Sequence, residues 1–87
     1  MSADIQHQHK KNQLRRYRRQ RNLKLVEVAK LIGHTTPSHL SHWEHGRKQP
    51  SLDNALKLSA VLKCPVEILF FDRFDEIRRQ LRDKRKD

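Results

Sequence analysis

Ser38, His39, Ser41, His42 and His45 lie close together, with Arg47 and Lys48 just behind them. Hydroxyls and imidazoles both donate and accept hydrogen bonds, and the two cations can meet phosphate. Such a set suits reading base edges in a groove while the backbone is held alongside. It suits catalysis poorly. The serines and histidines share one short stretch, with no glycine-rich elbow and no acid placed to orient a base, so no catalytic residue and no enzymatic activity is expected. A metal site is the other chemistry to weigh, because His34, His39, His42 and His45 crowd together and side chains one turn apart can bind Zn²⁺. Steps of three residues drift around a helix, however, and Cys64 is remote with no Cys-x-x-Cys pair in the chain. Neither a metal nor another cofactor is expected.

The elements that would position these groups can be read outward from the same stretch. Thr36 can cap the first free N–H groups, and Pro37 suits the first helical position. Gly46 can take the left-handed conformation that ends a helix, with Pro50 a few residues beyond. Leu40 and Trp43, three apart, point to a core. Trp43 could instead stack on a base in a single strand, but its spacing from Leu40 favours burial. Ser38, Ser41, His42 and His45 are left on the other side, and Thr36 and His39 complete the set expected at base edges or in the groove.

Charge supports a polyanionic partner. The chain of 87 residues carries a net +10, and the balance is uneven. Residues 1–50 hold eleven Lys/Arg against three Asp/Glu, whereas residues 51–87 hold nine against seven. One half therefore looks built to bind phosphate, with Arg15, Arg19, Lys24, Arg47 and Lys48 as the expected contacts. A charge run is often only a solvated face, but mixed signs would serve that purpose better than the single-sign block Arg15–Lys24. A lone Cys64 excludes an intramolecular disulfide and fits a reducing cytoplasm. No apolar run is long enough to span a membrane, and no secretory stretch opens the chain.

The periodicity predicts an all-α protein. Residues 1–11 are polar and aperiodic, and are expected to form a disordered arm. Residues 12–71 read as a five-helix domain. Leu14 and Tyr17 give the first helix a thin apolar stripe, and Leu25, Val28, Ala29 and Ile32 give the second, ended by Gly33. The third is the polar stretch above. Ser51 caps a fourth, with Leu52, Ala55, Leu56, Ser59, Ala60 and Leu62 as its expected apolar face, and Pro65 starts a short fifth. Residues 72–87 read as a charged helical extension.

Glu27-Val28-Ala29, Ile32-Gly33, Leu40-Ser41, Trp43-Glu44, Gly46 and Pro50-Ser51-Leu52, in this order, resemble the phage repressor/Cro-type, or Xre-type, helix-turn-helix regulators. The resemblance covers roughly Leu14 to Phe70. It implies a five-helix repressor-like domain, usually dimeric on a two-fold operator, with the third helix in the major groove. It also implies that Arg18 on the first helix pairs with Glu44 near the end of the third, and that Ala29 lets helices 2 and 3 approach closely. Two features depart from the family pattern. Lys24 and Leu25 stand where members often carry Ser/Thr and then a phosphate-binding Gln, and the segment Gly33 to Gly46 is one residue longer than the commonest form.

The expected function is sequence-specific double-stranded DNA binding by a transcriptional regulator, as a homodimer. The competing class is a protein-interaction adaptor or antitoxin-like partner that keeps the fold and docks through its C-terminal helix. Phe74, Ile77 and Leu81, with Phe70, follow a 4, 3, 4 spacing suited to a helix seam between two copies. The same stripe could equally fold back on helix 1 or helix 5 of its own chain.

Overall fold

The computed structural model describes residues 12–85, so the arm expected over 1–11 lies outside the described residues. Six helices and no strand occur among them: α1 Leu14–Gln20, α2 Leu25–Leu31, α3 Ser38–Glu44, α4 Leu52–Leu62, α5 Val66–Leu69 and α6 Phe71–Arg85. Helices of seven residues are too short to persist alone in water, so tertiary packing must hold α1, α2 and α3 in place. Leu14 of α1, Val28 of α2, Leu40 and Trp43 of α3, Leu58 and Leu62 of α4, and Leu69 of α5 meet in one buried cluster. Each such side chain, taken fully out of water, contributes about 1.5–3 kcal/mol.

Helices α1 to α4 share one way of ending. A residue in the left-handed region follows each, and the next N–H reaches back to a carbonyl five residues earlier. The turning residues are Asn22, Gly33, Gly46 and Lys63, with φ of 57°, 88°, 72° and 52°. The closing bonds run from Leu23 N to Arg18 O, His34 N to Ala29 O, Arg47 N to His42 O and Cys64 N to Ser59 O. This arrangement satisfies carbonyls that a helix end otherwise leaves bare. Two of the four turns use glycine, which adopts that conformation without a Cβ clash.

The third helix begins one residue later than the sequence suggests. Pro37 stands at the cap rather than in the first turn, and no side chain caps it directly. Thr36 Oγ1 accepts from Ser38 N, but at 3.4 Å. The fourth helix turns a different face inward than expected. Ala55, Leu58 and Leu62 are its buried residues. Leu52 and Leu56 are 72% and 51% exposed, and Ala60 is exposed too. Ala55, Leu58 and Leu62 keep a 3, 4 spacing on one side, and a face centred there carries Leu52 and Leu56 out toward solvent.

Among the described residues, helix α6 contributes no buried side chain. Phe74, Ile77 and Leu81 are 45%, 38% and 56% exposed, and the substantial contacts of α6 are with α5 alone. The stripe packs chiefly beside α5, where Phe74 and Ile77 line one groove with Val66 and Phe70. Along the polar side of the helix, Arg73 pairs with Glu76, and Asp75 with Arg78 and Arg79. The hydrogen bond from Arg78 holds the Asp75 carboxyl below its usual range, helped by the charges of Arg79 and Arg82. Such a depressed carboxylate stabilises the fold above its unfolded-state titration and loses that effect as pH falls through its folded value. Surface pairs of this kind contribute little.

Candidate nucleic-acid interface

Helix α3 is fixed to the basic first helix by one largely buried ion pair. Arg18 Nε and Nη2 donate to the two carboxylate oxygens of Glu44 at 2.6 and 3.2 Å. The third donor of the fork, Nη1, reaches Leu23 O at 2.9 Å. Side-chain exposure is 13% for Arg18 and 5% for Glu44. A planar fork closed on a carboxylate fixes orientation as well as distance, so the register of α3 against α1 is set here.

A second tie was not legible in the sequence. Asn12 Nδ2 donates to Trp43 O at 2.7 Å, and its Oδ1 accepts from Leu14 N at 3.0 Å. One amide thus caps the start of α1 and satisfies a carbonyl near the end of α3. The neighbouring Gln13 N donates to Leu69 O at 2.7 Å, joining the same corner to α5. Asn12→Ala should therefore lose the bond at the first turn of α1 and one of the two donors to Trp43 O, which Gly46 N also reaches at 3.0 Å, lowering stability by about 1 kcal/mol in a urea melt.

With α3 held this way, its outward face is well defined. Ser38 and His45 are exposed, whereas Ser41 and His42 are half-buried. His45 Nδ1 lies 2.7 Å from Ser41 O. His42 Nδ1 is buried with no hydrogen-bond partner. His39, although exposed, leans away from this group. Its ring sits 5.5 Å from His34 and 6.2 Å from Trp43, and His34 stands edge-on to Trp43 at 5.6 Å. His34 Nε2 also reaches Asn54 Oδ1 at 3.2 Å, linking the turn after α2 to α4. Thus His34 and His39 brace the approach to α3, and Ser38, Ser41, His42 and His45 form the free polar face. No group of three or more potential metal ligands occurs among the described residues. Trp43 is 6% exposed and belongs to the core.

The five cations expected at phosphate are all exposed. Arg15 and Arg19 are exposed one turn apart on α1, and Arg47 and Lys48 are exposed beyond Gly46. Lys24 is exposed at the start of α2, where its backbone N–H is accepted by Glu27 Oε1 at 2.6 Å. Glu27 closes the first turn of α2 in the manner of half a capping box. None of the five cations has a carboxylate partner among the described salt bridges, so each is available to phosphate.

In a comparison with protein families, the helix-turn-helix family model matches residues 14–69. That span holds the whole of α1 to α5 and more than half of the chain. The chain belongs to the Xre-type helix-turn-helix family. In this family setting α2 and α3 are the two helices of the motif, joined through Gly33, and the protein is a DNA-binding regulator in general character. Helix α6 lies beyond the matched span. A comparison with curated proteins finds no match. No helix among the described residues is long and apolar enough to cross a membrane.

Proposed function

We propose that the protein is a transcriptional repressor that binds a two-fold operator as a homodimer, with α3 in the major groove. The observation that carries this reading is the polar face of Ser38, Ser41, His42 and His45, tied by Arg18 and Glu44 to a helix whose exposed arginines have no carboxylate partner among the described residues. Ser41 and His42 are taken to meet base edges, with Thr36, Ser38 and His45 at the groove, whereas His39, expected there from the sequence, packs with His34 and Trp43 instead. Arg15, Arg19, Lys24, Arg47 and Lys48 are taken to meet phosphate. A mobility-shift assay with competitor DNA tests the division of labour. Ser41→Ala and His42→Ala should each cost about 1–3 kcal/mol at particular base pairs. Arg47→Ala should weaken every duplex alike. A uniform loss from all three would remove the proposed roles.

The extension is assigned to dimerisation. Phe71, Phe74, Ile77 and Leu81 are exposed on α6, and a groove of about 410 Å³ lined by Val66, Phe70, Phe74 and Ile77 opens beside them. One reading helix touches few base pairs, and two half-sites a turn apart multiply specificity. Because Phe74 and Leu81 are 45% and 56% exposed and belong to no buried cluster, Phe74→Asp combined with Leu81→Asp should leave the domain folded. Sedimentation should then show a monomer, and operator binding should be much weaker. A variant that still dimerises would move the interface elsewhere. The adaptor reading shares this apolar helix as its docking surface, and it requires that no duplex be bound specifically.

A further inference from the structure

The two histidines on the free face of α3 present different hydrogen-bonding atoms to whatever lies against it. His45 Nδ1 lies 2.7 Å from the Ser41 carbonyl. A carbonyl oxygen can only accept, so Nδ1 carries the proton. In the neutral ring the outer nitrogen, Nε2, is then a bare acceptor. His42 is the opposite case. Its Nδ1 is buried and no acceptor reaches it. A proton placed there would be a buried donor without a partner, a situation that folded proteins avoid more strictly than a bare acceptor. The proton therefore sits on Nε2, which has no protein partner and is not among the buried atoms.

We infer that His42 and His45 are held in opposite tautomers, so that α3 reads a base acceptor with His42 Nε2–H and a base amino group with His45 Nε2. The inference rests on α3 being the reading helix. In the major groove, guanine offers only acceptors through O6 and N7, thymine offers O4, and cytosine offers only its N4 amino donor. His42 therefore favours guanine and rejects cytosine at its contacted base. His45 favours the amino groups of adenine or cytosine and rejects guanine and thymine.

Glutamine provides the test, because its amide carries both a donor and an acceptor and so lifts the restriction that a fixed tautomer imposes. The full-length protein is used with the duplex it selects from a random pool, and each contacted position is changed to all four bases. Wild type should disfavour cytosine at the His42 position by roughly five- to tenfold, and His42→Gln should erase most of that penalty. His45→Gln should likewise restore tolerance of guanine at its own position. In parallel, imidazole nitrogen NMR of the free protein at pH 8 should show His45 protonated on Nδ1 and His42 on Nε2. Either tautomer reversed, or base profiles unchanged in the glutamine variants while duplex binding persists, overturns the inference and leaves DNA reading by α3 intact. Failure of the full-length protein to select any duplex overturns both.

Discussion

Arg18→Ala is expected to lower stability by about 3–5 kcal/mol, the cost of leaving a buried carboxylate without its partner. Glu44 is 5% exposed and receives two bonds from the guanidinium, so water cannot readily replace them. The same substitution also frees the Leu23 carbonyl from its Nη1 donor. Glu44→Ala strands the arginine instead, though at 13% exposure it has more access to solvent. The double variant should lose less than the sum of the two singles, because it removes both charges together. Urea melts of the four proteins measure this coupling. Additive losses would mean that the pair does not bind α3 to α1. Arg18→Lys should recover only part of the loss, since an ammonium cannot close on both carboxylate oxygens and Leu23 O in one plane.

The second large effect is in solution electrostatics. If Arg15, Arg19, Lys24, Arg47 and Lys48 each neutralise one phosphate, log K should fall with log salt at a slope of about −4.5 per protomer, about −9 for the homodimer. Raising salt from about 50 to 200 mM should then weaken duplex binding by the dimer by roughly 10⁵-fold. Each single alanine substitution among the five, present in both protomers, should reduce the dimer's slope by about 2. A flat response would mean that these exposed cations serve only solubility.

Much of the fold was legible because its signals are local. Gly33 and Gly46 end α2 and α3 through their own backbone freedom, and Ser51 caps α4 by accepting from Asn54 N at 3.2 Å. The spacing of Leu25, Val28, Ala29 and Ile32 showed the inner face of α2 for the same reason. Where local signals were ambiguous, tertiary packing decided. Helix α4 carries apolar residues around much of its circumference, so periodicity alone could not choose between a face centred on Leu58 and one containing Leu52 and Leu56. The left-handed turns at Asn22 and Lys63 also lacked a glycine to mark them.

The site was legible as a set of residue types and less so as an arrangement. Spacing placed His42 and His45 on the polar face and left His34 out of the site, but it also put His39 at the groove. In the fold, His34 and His39 pack with Trp43, whereas His42 and His45 lie on the polar face. The packing of His39 depends on where α2 and α4 place His34, and spacing along α3 does not encode it. Asn12 is a similar case. Nothing in its neighbourhood signals a bond to Trp43 O, which lies 31 residues away. The stripe on α6 was visible as a pattern that allowed two outcomes, and in the fold Phe74, Ile77 and Leu81 stay half exposed beside α5.

Selection of bound sites from a pool of random duplexes tests the central claim most directly. A homodimer reading through α3 should enrich two related half-sites in inverted orientation, centred about one helical turn apart, roughly 10–10.5 base pairs. Ser41→Ala should alter the enriched sequence, and Arg47→Ala should leave it unchanged while lowering the yield. A pool that emerges without any enriched sequence would contradict the account.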